Sequence, residues 1–397
     1  MKTLYKIDSK GKIRQWTICV VPSGDFKLSE FGIQTSDGIL GGKIKNPIFK
    51  EAVPNNQFKT SEEKAIAMFE SAVTKKLRSN YFETTEEAKK GNILFMPTGC
   101  PSGMVWEEWK DKSHVKYPAL ASAKLDGSKM YSTWRDGRVF LNTRSAKEHK
   151  NFRHIEEALK ELYKAHRNLV LDGEAYNHTY HDKFEELQSI FRKETPTEKE
   201  RALSESVAKF YIYDVVDLDR PELTAMERQN LLHDVFENYL DKEGYLVKWS
   251  SFIMDNEENY DQFHEKCLDA NFEGSILKIL DAPYEQRKNK NVMKRKPKFD
   301  CEFKVVDILE GTGTAKGIAS GVTIDLTYMD GMNLQHRDKL AEDFQDAGMG
   351  SGWNHKMCKE MLKNKENYVG RLATIEYGGV TAHGKLRFPK FKSLRPD

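Results

Sequence analysis

The residues best suited to chemistry begin with a lysine beside an Asp-Gly pair. Lys124, Leu125, Asp126 and Gly127 form Lys-x-Asp-Gly inside ASAKLDGSKM, from Ala121 to Met130. An unprotonated lysine amine is a nucleophile, and burial or nearby cations lower its pKa enough to expose that reactivity. By itself the tetrad is weak, because Asp-Gly is a common turn and lysine often decorates turns. Downstream charges follow in a fixed order: Arg144-Ser145, Asp172-Gly173-Glu174, Tyr213-Asp214, Glu273-Gly274 with Lys278, and Lys294-x-Lys296. A nucleophilic amine, fixed cations and paired carboxylates suit covalent group transfer from an anionic donor.

Strands and turns must position these groups. The apolar Tyr117–Leu120 leads into Lys124, and Met130, Tyr131 and Trp134 lead out, which predicts a hairpin turning at Asp126-Gly127 with Lys124 at a strand end. Val139–Ser145 reads as a strand ending in a cation and a hydroxyl. Leu169–Tyr176 is an apolar strand running into carboxylates, Phe210–Val216 a buried aromatic strand, and Phe272–Leu280 a strand with an inner lysine. Helices are predicted from Asn151 to His166, with Ile155, Leu159 and Leu162 on one face, and from Thr224 to Leu240 behind a Thr224–Glu227 capping box. Met293–Lys298 is strongly basic. Lys294 and Lys296 fall on one side of a strand and Arg295 on the other.

Before these motifs, Thr3–Ile7 and Gln15–Val21 read as strands. Thr60–Glu63 is a second capping box, opening a helix with Ile66, Phe69, Val73 and Leu77 at helical spacing. Residues 86–112 read as a linker, with Pro97, Gly99, Pro101 and Gly103. After them, Glu302–Leu309, Val322–Tyr328, Tyr368–Tyr377 and Lys385–Phe391 are short strands. The glycine-rich Glu310–Gly321 and insertions at Asp338–Ala347 and His355–Lys363 interrupt them. Short strands at this spacing predict a small β-barrel.

The composition of the 397 residues sets bounds. Charged residues make up 31% and the net charge is +2, so any basic surface must be local. The five cysteines have no paired spacing, which argues against a disulfide framework or a zinc site and suits a reducing compartment. No long apolar run occurs, and the expectation is a cytoplasmic protein with no membrane association.

Taken in order, the motifs from Lys124 to Lys296 resemble the signature of covalent nucleotidyltransferases, and most closely that of ATP-dependent DNA ligases. The segment RFPKFKSLRPD resembles the one that closes the OB domain of those enzymes. Early strands with Trp16, the glycine-rich middle and FKTSEEKAIAMFESAVTKK resemble a WGR domain, a small DNA-binding module. Here the Trp-Gly-Arg triplet itself is absent, and Lys43 falls near the corresponding place. The resemblance implies an α+β multi-domain chain: a WGR-like α+β domain over residues 1–85, a linker over 86–112, an ATP-grasp-like adenylation domain of antiparallel sheets and helices over 113–298, and an OB-fold β-barrel over 299–397.

It also implies roles. Lys124 attacks the α-phosphate of ATP and carries AMP, which passes to the 5′-phosphate of a nick before the 3′-hydroxyl displaces it. Asp126 and Glu273 are the metal-linked carboxylates, for Mg²⁺ or Mn²⁺. Glu174 binds the ribose, Tyr213 stacks on adenine, and Lys294 and Lys296 face the phosphates. Arg144 meets the 5′-phosphate of the nick, Lys278 contacts phosphate, and Arg395 orients the departing pyrophosphate. The partner is nicked double-stranded DNA, bound by a monomer, in replication, repair or recombination.

Three departures stand out. The family usually has arginine where this chain has Lys129, which keeps the charge but loses the planar fork and so the assured ribose contact. Ser122 stands where a carboxylate or amide often meets the adenine amino group, which shifts base selection toward backbone contacts. The sequence ends at Asp397, where the family has a further lysine, so a weakened first step is expected. The lysine motif alone also suits an RNA ligase or a capping guanylyltransferase. A non-catalytic nick-binding protein would tolerate the departures.

Overall fold

The computed structural model describes residues 1–8, 10–23, 29–90, 95–99, 106–109, 112–239, 241, 243–312, 316–341, 346–348, 355–381 and 383–395. Cys100, Pro101, Gly103, Leu240, Gly313 and part of the 338–347 insertion lie outside them. Two compact units result: Met1–Met96 with Ser145–Lys147, and Pro97–Arg144 with Glu148–Asp397.

In the first unit β1 (Lys2–Ile7), β2 (Ile13–Pro22), β3 (Phe31–Ile39) and β4 (Ile48–Glu51) form an antiparallel sheet in sequence order. Helix α1 (Ser61–Leu77) starts at the expected capping box, with Thr60 accepting from the Glu63 amide and the Glu63 side chain accepting in return. Met68, Phe69, Ala72, Val73 and Leu77 pack on Leu4, Trp16, Ile18 and Ile33. Ile66, expected on that face, is 45% exposed. Helix α2 (Thr85–Lys90) follows, inside the stretch expected to be linker.

The second unit begins its sheets with β5 (Ala119–Lys124), β6 (Ser128–Arg135) and β7 (Arg138–Asn142). Next come α3 (Arg153–Ala165), β8 (Leu169–Tyr176), α4 (Phe184–Phe191), α5 (Glu198–Val207), β9 (Lys209–Asp217) and α6 (Ala225–Glu237). The series continues with β10 (Leu246–Lys248), β11 (Phe252–Met254), α7 (Glu257–Asp269), β12 (Gly274–Ile279) and β13 (Val292–Arg295). One sheet has the order β10-β9-β8-β6-β7 and a second has β11-β5-β12-β13. Ile155, Leu159 and Leu162 of α3 are fully buried against the first of these, as the helical spacing predicts.

Three corrections to the sequence reading concern these sheets. First, β5 and β6 are not a hairpin: β5 pairs with β11 and β12, and β6 with β7 and β8. Leu125–Gly127 is a crossing between two sheets. Second, the sheets are not wholly antiparallel. Strand β10 pairs parallel with β9 because α6 carries the chain back between them, the crossover a parallel pair needs. Third, the end of the expected linker is core: Trp106 and Trp109 are 2% and 4% exposed and pack with Ala119, Ala121, Tyr260 and Leu277.

The chain then forms β14 (Phe299–Glu310), β15 (Ala319–Asp330), α8 (Leu334–Arg337), β16 (Asp346–Gly348), α9 (His355–Lys363), β17 (Leu372–Tyr377) and β18 (Lys390–Leu394). Their antiparallel sheet runs β16-β15-β14-β17-β18, and register shifts between β14 and β15 bend it. Phe303, Val322, Met361, Ile375 and Phe391 fill its core. The unit is thus a mixed α+β assembly whose sheets are antiparallel apart from the β9–β10 pair.

Candidate active site

Lys124 ends β5, so the crossing after it sets the lysine at the seam between two sheets. Gly127 makes the crossing possible by its lack of a side chain. A Cβ there would come within 2.4 Å of the Ala175 carbonyl oxygen and 2.7 Å of Glu174 Cγ. Gly274 has φ +144°, and a Cβ would sit 2.1 Å from the Arg295 carbonyl. These glycines mark close backbone approaches rather than a hairpin turn.

Pairing brings the charges together. Gly274 is opposite Lys124, Ile276 is opposite both Ser122 and Lys294, and the Glu273 amide donates to the Lys124 carbonyl at 3.1 Å. Lys124 and Glu273 form an ion pair, and Lys296, just past β13, reaches the other oxygen of Glu273 at 3.3 Å. Ser122, 5% exposed, lies on the same face of β5 as Lys124. Arg295 turns the other way from Lys296, to Glu107 and Asp261, each at 2.6 Å.

The electrostatics correct one expectation. Burial alone would lower the Lys124 pKa, but Glu273, with Glu174 and Asp126 behind it, outweighs burial, and the ammonium is held above its ordinary value. Glu273 is correspondingly held below the carboxylate range by Lys124 and Lys296, against burial. Asp126 is pushed up by burial and by the Glu273 charge, while Arg387 opposes. Two carboxylates, one of which raises the other's cost of ionisation, with oxygen donors only, fit a hard divalent cation. Among the described residues no group of three His, Cys, Asp or Glu is arranged to hold a metal, so protein ligands would have to be completed by substrate or water.

Across the seam, β6, β8 and β9 present the second set. Glu174 is opposite Lys129, and burial raises its carboxyl to about 7 despite Lys129, Lys124 and Arg144 nearby. The β8–β9 register passes from Asp172↔Asp214 to Gly173↔Ile212 and skips Tyr213, a bulge that re-aims its ring. Tyr213 therefore lies beside the ammonium groups of Lys129 and Lys278, at 4.6 and 5.3 Å from its ring centre. Tyr211, two residues earlier in β9, packs instead on Tyr176 and Trp249. Lys129 forms an ion pair with Asp172 and donates to the Tyr213 hydroxyl.

Two expected anion contacts are engaged elsewhere. Lys278 is 5% exposed and pairs with the buried Asp214 at 2.8 Å, where Arg228 also binds at 2.8 Å. Arg395 pairs with Glu302 at 2.8 Å on the C-terminal sheet. Arg144 is exposed beyond β7. The residue that does reach the seam from the C-terminal sheet is Arg387, whose guanidinium donates to Asp126 at 2.8 Å. It belongs to the RFPKF stretch, and only its cationic type inside that stretch hinted at a role. A cleft of about 770 Å³ opens here, lined by Asp126, Glu273, Lys296, Lys339, Arg387 and Phe388.

Known proteins resemble this chain over part of its length. Residues 110–296 match the model of the ATP dependent DNA ligase domain. The DNA ligase of African swine fever virus (a tick isolate from South Africa) is 28% identical over 181 residues, 44% of this chain and 41% of that protein. The DNA ligase of Enterobacteria phage T6 is 24% identical over 341 residues, 74% of this chain and 67% of that protein. The chain thus spans less than half the length of the viral relative. In fold, a solved structure described as a Lig E DNA ligase aligns with a TM-score of 0.54 and 19% identity, covering 76% of this chain and all of that one. The similarity to an ATP dependent DNA ligase domain thus lies in residues 110–296 of the chain.

Proposed function

We propose that this protein seals 5′-phosphate/3′-hydroxyl nicks in duplex DNA, using ATP and a covalent lysyl-AMP. The observation that carries the reading is Lys124 at the seam of two sheets, paired with Glu273 and ringed by Asp126, Glu174 and Lys296. In this reading the Lys124 ammonium loses its proton and the amine attacks the α-phosphate, forming the N–P bond as pyrophosphate leaves. Lys296 and Lys294 neutralise phosphate charge, Glu174 holds the ribose and Tyr213 the base. Phosphoryl transfer depends mostly on such positioning and charge neutralisation.

Asp126 and Glu273 would hold Mg²⁺ or Mn²⁺, which supplies charge neutralisation at the phosphates. The pairing of Lys124 with Glu273 keeps the amine protonated until that carboxylate is otherwise engaged. AMP then passes to the 5′-phosphate, steadied by Arg144, and the 3′-hydroxyl displaces it. Arg395 would serve the pyrophosphate only after leaving Glu302, and Lys278 would serve phosphate only after leaving Asp214.

The N-terminal unit, a sheet packed by α1 and α2 with Lys43 on an exposed loop, would be a WGR-like DNA contact. The bent C-terminal sheet would be the OB fold, with boundaries near residues 85, 112 and 298 and a monomeric protein. The test is sealing of a nicked duplex with ATP, against GTP and against an all-RNA nick. ATP-dependent DNA sealing is expected, with affinity for the nick falling as salt rises. Sealing of RNA alone, or label transfer only from GTP, would contradict the reading.

A further inference from the structure

Lys129 occupies a position where a guanidinium would carry its own planar fork. An ammonium is a point charge on a flexible stem, so its direction has to be set from outside. The surroundings of Lys129 supply that. Asp172 is completely buried, and one of its oxygens takes Lys129 while the other accepts the Tyr284 hydroxyl at 2.7 Å. The Tyr284 oxygen accepts in turn from the Thr98 amide at 2.7 Å. Its ring lies 5.3 Å from the Arg228 guanidinium, which is fixed by Asp214. Tyr284 is 8% exposed and stands in the loop between β12 and β13, so it reaches β8 from the neighbouring sheet. An ammonium has three donors. Asp172 and the Tyr213 hydroxyl take two, which among the described residues leaves the third for a ligand beside the Tyr213 ring.

We propose that Tyr284, acting through Asp172, is a positioning residue that aims Lys129 at the nucleotide. The claim rests on the nucleotide-binding reading above and adds to it a carboxylate–tyrosine bracket that substitutes for the missing guanidinium fork. Without the tyrosine hydroxyl, Asp172 has one ordered partner fewer and the lysine stem regains its rotamers.

The experiment measures ATP binding by calorimetry on the full chain carrying Lys124→Ala, so that no adduct forms. Tyr284→Phe is expected to weaken ATP binding by about five- to twentyfold. Lys129→Met should weaken it at least as much, and adding Tyr284→Phe to Lys129→Met should cost nothing further, because both act through one ammonium. With Lys124 intact, Tyr284→Phe should raise KM for ATP in adduct formation and leave kcat within about twofold. Thermal unfolding, followed in parallel, identifies any variant that fails to fold; for such a variant Asp172→Asn takes its place. Unchanged ATP affinity in Tyr284→Phe, or additive losses in the double variant, would overturn the proposal while leaving the nucleotide reading intact. No ATP binding by the parent protein would overturn both.

Discussion

At Asp214 a single carboxylate serves two cations, and the outcome is set by burial. Burial alone would raise this carboxyl, but Lys278 and Arg228 outweigh it and hold it far below the usual range. A native value depressed below the unfolded one gives stability that is present above about pH 4 and lost as pH falls further. Asp214→Asn leaves two buried cations without a counter-charge. It is expected to destabilise the protein by about 3–5 kcal/mol at pH 7, a penalty that narrows below about pH 4. Urea unfolding at both pH values measures it; an equal penalty at both would contradict the role of charge. The residue types at this site were legible in the sequence, but their partners were not. Lys278 read as a phosphate contact because a lysine inside an apolar strand gives no sign of the aspartate that meets it from another strand 64 positions away. Lys124 read as an amine with lowered pKa because Glu273, its partner, is 149 positions distant.

Among the elements, the crossing at Leu125–Gly127 does most to position chemistry, and it was misread. Asp-Gly between two apolar runs is a strong local hairpin signal. Only the sheet assignments, which are non-local, reveal that its strands pair with other partners. Gly127→Ala would drive a methyl group to 2.4 Å from the Ala175 carbonyl, a backbone atom that cannot swing aside. The expected results are a loss of adduct formation of at least about a hundredfold and a destabilisation of about 1–3 kcal/mol. Intact mass over time and thermal unfolding would report both, and wild-type rates would refute the close-approach account. Signals confined to a few residues were legible: the capping boxes at Thr60 and Thr224 and the apolar face of α3. The short β10 and β11 and helix α7 were missed; a three-residue strand offers too few positions for a period to show.

Over the whole second unit, the C-terminal sheet matters to the site through Arg387, which spans 261 positions to reach Asp126. The short strands and the basic RFPKF stretch announced that sheet, but a guanidinium bound to a carboxylate of the lysine motif is a tertiary fact. The cleft it helps to line holds Asp126, Glu273 and Lys296 together, and the account stands on these acting around one nucleophile. The most direct measurement is intact mass after incubation with ATP and Mg²⁺, after pyrophosphate has stripped any pre-bound AMP, for the wild type and for Lys124→Ala. A gain of one AMP in the wild type alone is the predicted result. No gain in the wild type, or a gain that survives Lys124→Ala, would contradict the account.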